Sequence, residues 1–164
     1  MSRTLPGRQD AVNARPGSRT PAGDAFSELV VRVFQLDGLL AAAGDALAHP
    51  AGQTSARWRV LAAVEGGPLT VSQIARWWGL ARQSVQRVAD ELAKGGWVAY
   101  SENPGHRRAQ LVRLTPKGRR ALRTIQASQR SWADALGRQI GGGDLRRVND
   151  VLGRVLGALR PPPA

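Results

Sequence analysis

The sequence predicts a mainly α chain with one small β hairpin, an α+β fold, and three observations predict it. Beyond residue 24, apolar residues recur at steps of three and four, the spacing of a single helix face. Two short runs, Trp97-Val98-Ala99-Tyr100 and Gln110-Leu111-Val112-Arg113-Leu114, have strand character and are separated by the turn residues Asn103-Pro104-Gly105. Pro50, Gly66-Gly67-Pro68, Gly79, Gly95-Gly96 and Gly141-Gly142-Gly143 cut the helical stretches into separate elements.

Each element follows in order. Residues 1–23 hold Pro6, Gly7, Pro16, Gly17, Pro21 and Gly23 with few large apolar side chains. Such a segment buries too little surface to offset its ordering entropy, so a disordered basic tail is expected. Phe26, Leu29, Val33, Leu36, Leu40, Ala43 and Leu47 form a heptad seam on one helix over roughly 24–48, which Pro50 stops. A short helix over 56–65 turns Trp58, Leu61 and Val64 inward. Thr70-Val71-Ser72-Gln73 fits a capping box and starts a helix that runs to Trp78. Gly79-Leu80 is a tight turn, and the next helix covers 82–94 and closes at Gly95-Gly96.

The hairpin comes next. Thr115 as N-cap and Pro116 at the first helical position then start a helix carrying Leu122, Ile125, Trp132, Leu136 and Ile140. Leu145, Val148, Leu152, Val155 and Leu159 form a second heptad seam on the last helix, and residues 161–164 are a Pro-rich tail. Helix, short Gly turn, helix and hairpin together make a winged helix-turn-helix. Seams this regular at both ends favour a partner helix, so a homodimer is expected.

Charge narrows the function. The chain has 164 residues with 24 Lys+Arg against 12 Asp+Glu, a net charge of +12 and a pI near 11.8. That balance points to a polyanionic partner. Residues 56–120 hold twelve basic and four acidic side chains, whereas 24–55 hold Arg32 against Asp24, Glu28, Asp37 and Asp45. The polyanion site therefore belongs to 56–120. There is no Cys, which excludes thiol nucleophiles, disulfides and Cys-ligated metal. Two His, His49 and His106, give no metal cluster or catalytic triad, and no phosphate-cradling Gly loop follows a strand. No enzyme activity, cofactor or metal is expected. No apolar run approaches the roughly 18 residues that span a bilayer, and no secretory leader is evident. The expectation is a cytoplasmic, nucleoid-associated protein without membrane contact.

The helix 82–94 carries the functional argument. Val85, Val88, Ala89 and Leu92 form its apolar stripe. At about 100° per residue, the opposite side presents Arg82, Gln83, Ser84, Gln86 and Arg87 toward its N-terminal half. Arg pairs bidentately with guanine and Gln with adenine, and the N-terminal half of a recognition helix is the part that enters the major groove. Asp90 and Glu91 would repel phosphate, which places the C-terminal half away from the duplex. His106, Arg107 and Arg108 at the hairpin tip suit phosphate or the narrow minor groove.

Residues 54–120 resemble the DNA-binding core of the MarR (multiple antibiotic resistance regulator) family of bacterial transcription factors. The resemblance rests on Arg57-Trp58-Arg59-Val60-Leu61, Leu69-Thr70-Val71-Ser72-Gln73-Ile74-Ala75, Gly79-Leu80-Ala81-Arg82-Gln83-Ser84-Val85 and Arg107-Arg108-Ala109-Gln110-Leu111-Val112-Arg113-Leu114-Thr115, which runs on into Thr-Pro-Lys-Gly. Counting the flanking helices, it extends over 24–160 as one domain, with 24–50 and 121–160 as dimerisation helices. It implies a two-fold dimer on a pseudo-palindromic double-stranded operator, and a small aromatic or anionic effector between the dimer helices and the DNA lobe. The further implication is a ligand-responsive repressor. Trp58 and Trp78 are the effector-lining candidates, although aromatics at helical spacing more often serve packing.

Two positions depart from the family pattern. His106 stands where the wing usually has Asp, which makes the wing contact sensitive to histidine protonation. Ala81 stands where the recognition helix usually has a Ser or Thr cap, a loss of about 1 kcal/mol. A winged helix used only for protein–protein contact is the competing reading, and the Arg/Gln face tells against it. RNA binding lacks an aromatic platform beyond Tyr100.

Overall fold

The computed structural model describes residues 19–106 and 108–160. Residues 1–18 of the expected 1–23 tail and the expected tail 161–164 lie outside them, as does Arg107. The elements are α1 (Pro21–Ala48), a 3-10 turn (His49–Ala51), α2 (Ser55–Ala63), β1 (Leu69–Thr70), α3 (Val71–Trp78), α4 (Arg82–Lys94), β2 (Val98–Ser101), β3 (Leu111–Leu114), α5 (Pro116–Ile140) and α6 (Gly142–Leu159). The chain divides into two compact units at Leu40, inside α1.

In the first unit α1 starts earlier than the sequence suggests, and this corrects the boundary of the expected disordered tail. Pro21 occupies the first helical position, and Thr20 Oγ1 accepts from Gly23 N at 3.1 Å. A Thr cap before a Pro outweighs the Gly- and Pro-rich composition of this stretch. Phe26, Val33, Leu36 and Leu40 of the seam are all exposed on this single chain, together with Phe34 and Leu39.

The second unit holds the core. Leu61 of α2, Ile74 of α3, Leu92 of α4 and Leu122 of α5 are fully buried and meet in one cluster. Burial of each such side chain contributes about 1.5–3 kcal/mol. The sheet order is β1-β3-β2, antiparallel throughout. Val98 pairs with Leu114 and Tyr100 with Val112, so the inward residues Val98, Val112 and Leu114 share the core face. The strand β1, which pairs Leu69 with Val112 and Thr70 with Leu111, is an addition to the two-stranded hairpin expected from sequence.

The capping box at α3 is present in both directions: Gln73 N donates to Thr70 Oγ1 at 3.2 Å, and Thr70 N donates to Gln73 Oε1 at 2.8 Å. Gly79 ends α3 at φ 65°, a left-handed conformation that glycine adopts without steric penalty. On α6, Val148, Val151, Leu156 and Leu159 are exposed. Among the described residues, no helix is long and apolar enough to cross a membrane.

The Thr-Pro-Lys-Gly segment locks the hairpin's return strand to the end of α4. Thr115 Oγ1 caps α5 by accepting from Gly118 N at 3.1 Å and donates to Gly96 O at 2.7 Å. Lys117 Nζ donates to Gly95 O at 2.7 Å and lies 4.2 Å from the centroid of the Trp97 ring. Gly118 is buried, and a Cβ there would collide with the Trp97 carbonyl oxygen. This clamp fixes α4 and the hairpin to one frame.

Candidate nucleic-acid interface

The helix α4 forms over the span its periodicity predicts. Val85, Val88, Ala89 and Leu92 are its buried residues, and this stripe fixes which side faces solvent. Arg82, Gln83, Ser84 and Arg87 are exposed there, with Gln86 at the margin. An open depression of about 880 Å³ runs along this side, lined by Arg82, Gln83, Gln86, Arg87, Asp90, Glu91 and Lys94. The structure thus brings together on one helix face the five residues expected to read bases.

The N-terminus of α4 is uncapped. Ala81 has extended backbone and makes no side-chain cap hydrogen bond. The first-turn N–H groups of a helix carry a partial positive charge suited to an anion such as phosphate.

The five side chains differ in how free they are. Among the described residues, Arg82, Gln83 and Ser84 meet no hydrogen-bonding side chain. Gln86 Nε2 donates to Asp90 Oδ1 and to Tyr100 Oη, each at 2.9 Å. Arg87 Nη1 donates to Glu91 Oε1 at 2.8 Å, and Glu91 Oε2 accepts from Arg57 Nη2 of α2 at 3.2 Å. The two acidic residues expected to repel phosphate are therefore engaged by neighbours. Sequence reasoning passed over these pairings: Gln86–Asp90 and Arg87–Glu91 stand at i,i+4 spacing on the helix, whereas Arg57 and Glu91 lie 34 residues apart and no local pattern links them.

Tyr100 also differs from its expected place. It is half-buried, and its hydroxyl donates to Asp90 Oδ1 at 2.6 Å. Burial, then the Asp90 hydrogen bond and charge, hold this hydroxyl well above the usual tyrosine range. It is a tie between β2 and α4 rather than an open stacking platform. On α3, Trp77 is 68% exposed and Trp78 40%, and sequence reasoning passed over Trp77 because it lies beside Trp78 on a short helix.

The wing turns at Pro104-Gly105. Asn103 Oδ1 accepts from Gly105 N at 3.0 Å, and His106 N donates to Asn103 O at 3.1 Å. His106 and Arg108 are exposed at this tip, whereas Arg107 lies outside the described residues.

The two effector-lining candidates differ in setting, Trp78 being 40% exposed. Trp58 is partly buried against the core, and Trp78 Nε1 donates to the Arg59 carbonyl of α2 at 3.0 Å. A second depression, of about 680 Å³, is lined by Gln73, Arg76, Trp77 and Arg160. Neither depression has Trp58 or Trp78 in its lining. No group of His, Asp or Glu among the described residues could hold a metal.

Comparison with known proteins places this geometry. The family model described as "MarR family" matches residues 51–109. Protein Rv2011c of Mycobacterium tuberculosis is 39% identical over 137 residues, covering 84% of this chain and 96% of that protein. The transcriptional repressor MprA of Escherichia coli is 39% identical over 51 residues, 31% of this chain and 29% of MprA. In structure, the chain is similar to Sco3205, a MarR family transcriptional regulator from Streptomyces coelicolor solved in complex with DNA. The TM-score is 0.73 at 22% identity, with 92% of this chain and 95% of Sco3205 covered.

Proposed function

This chain belongs to the MarR family of transcriptional regulators, and we propose that it works as a homodimer on a pseudo-palindromic double-stranded operator. The observation that carries the proposal is the exposed Arg82, Gln83, Ser84 and Arg87, with Gln86 half-buried at their margin, on a helix whose opposite stripe Val85, Val88, Ala89 and Leu92 is buried. A major groove about 12 Å wide admits such a helix. The clamp at Gly95, Gly96 and Trp97 holds the wing to the same frame. His106, Arg107 and Arg108 then contact phosphate or the minor groove beside the recognition helix. Phosphate contacts of this kind fix register and make binding salt-dependent.

Dimerisation is supported by the exposed apolar seams. Phe26, Val33, Leu36 and Leu40 on α1, and Val148 and Leu159 on α6, are open in the single chain. Such faces at heptad spacing call for partner helices. A second copy of the chain supplies them and sets two recognition helices about one helical turn of DNA apart, roughly 34–36 Å. The repressor reading is supported by the likeness to MprA, and its release by a small aromatic or anionic effector near Trp58 and Trp78 follows from family resemblance. The protein acts in the cytoplasm on the nucleoid and carries no enzymatic activity of its own.

Selection of bound duplexes from a random DNA pool, with and without aromatic acids, tests this function. The expected product is a motif with two-fold symmetry, bound by a dimer. Recovery of no enriched sequence would support the protein–protein alternative instead.

A further inference from the structure

We propose that Asp90 and Tyr100 set the base preference of Gln86, holding its amide so that only the carbonyl oxygen is left to meet a base. Adenine and cytosine are then read alike at one position of each half-site. The proposal rests on the reading of α4 as the base-reading helix. Gln86 lies in the N-terminal half of α4 and borders the open depression beside Gln83 and Arg87. Its amide nitrogen carries two protons, and both are engaged. One goes to Asp90 Oδ1 and the other to Tyr100 Oη, each at 2.9 Å. Among the described residues, no donor meets Gln86 Oε1.

The neighbours dictate which way the amide turns. An ionised carboxylate only accepts, so the amide nitrogen and not its oxygen faces Asp90. The Tyr100 proton is committed to Asp90 at 2.6 Å, which leaves a lone pair of Oη for the second amide proton. Burial and Asp90 keep that phenol protonated, so the arrangement persists at neutral pH. A free glutamine pairs bidentately with adenine, accepting from N6 and donating to N7. In this chain the donor half of that pair is engaged within the protein. Releasing either proton exchanges an internal hydrogen bond for one to N7 at no net gain, and the bond to the Asp90 carboxylate is of the stronger, charge-assisted kind. The oxygen alone accepts from adenine N6 or cytosine N4, and it is mismatched to guanine O6 and thymine O4. Adenine thereby loses its advantage over cytosine. Asp90 and Tyr100 are positioning residues that act on DNA through Gln86.

The test uses the full chain and duplexes selected from a random pool, each varied to all four bases at every position. Wild type, Gln83→Ala, Gln86→Ala and the double variant Tyr100→Phe with Asp90→Ala, which frees both amide protons, are titrated on them. Wild type should bind adenine and cytosine within about twofold of each other at one position per half-site, and Gln86→Ala should erase the preference there. The double variant should favour adenine over cytosine about tenfold at that position alone, within the range of a bidentate pair. A new preference at a single position cannot come from unfolding, and the first comparison leaves Asp90 and Tyr100 untouched. If wild type takes adenine alone at the position that Gln86 reads, or the double variant still takes both bases, Asp90 and Tyr100 do not set the preference and the reading of α4 stands. The same holds if Gln83→Ala alters a base preference and Gln86→Ala alters none. If neither of these two variants alters any base preference, α4 does not read sequence and both fall.

Discussion

The Tyr100 hydroxyl donates to Asp90 Oδ1 at 2.6 Å, and through this bond β2, the first strand of the wing, is tied to the middle of α4. Gln86 Nε2 closes the triangle at 2.9 Å from each partner. The same contact that positions the wing also restrains a residue expected to read bases, so positioning and reading share side chains.

This bond gives a pH signature. Burial and Asp90 raise the Tyr100 hydroxyl above its usual value, near 10 in an unfolded chain. The folded state therefore favours the protonated phenol. Its contribution to stability is complete below about pH 10 and is lost as pH rises toward the folded value. Tyr100 is the sole tyrosine, so phenolate absorbance reports on it alone. That absorbance should stay low past about pH 10 while the chain is folded, and should appear only with unfolding. Ionisation near pH 10 in the folded chain would show that the bond is not maintained in solution.

Gly118→Ala tests the clamp. Helix propensity alone favours the change by about 1 kcal/mol. The Cβ, however, meets the Trp97 carbonyl oxygen, and that backbone is held by Thr115 N at 3.1 Å. Overpacking of this kind costs about 1–3 kcal/mol, so the variant should be less stable in thermal or urea unfolding. A stabilised variant would mean that the α4–β2 turn yields easily.

Replacing both Leu152 and Leu159 with Lys tests the dimer. Leu159 is exposed and Leu152 half-buried in the single chain, and four positive charges in the assembled dimer would repel across a helix seam. Light scattering should report monomer or unfolded chain where wild type gives dimer. A wild-type chain that stays folded and monomeric at micromolar concentration would contradict the assembly.

How far the sequence reveals this molecule depends on the range of the interaction. The stripe Val85, Val88, Ala89 and Leu92, the capping box at Thr70 and the Thr115-Pro116 start are local patterns, and the structure realises each of them. The same Thr-Pro signal at Thr20-Pro21 was hidden by the surrounding glycines and prolines. The strand β1 was hidden because Thr70 also serves as the cap of α3, and two residues carry no periodicity. Within the interface, the exposed face of α4 was legible from helical geometry. The long-range partners of Glu91 and Asp90 were not, since Arg57 and Tyr100 reach them only through the fold, whereas Arg87 and Gln86 stand one turn away on the same helix.

The central claim is that the exposed face of α4 reads base sequence. Gln83 tests it most cleanly, because it is exposed at the centre of that face, meets no hydrogen-bonding side chain among the described residues and carries no charge. Equilibrium titration of wild type and Gln83→Ala should be run on the selected operator, on operators altered one base pair at a time, and on scrambled DNA. The account predicts a loss of about 1–3 kcal/mol on the operator, the disappearance of preference at one position per half-site, and no change in scrambled-DNA affinity or salt slope. Equal losses on operator and scrambled DNA, or none on either, would contradict it.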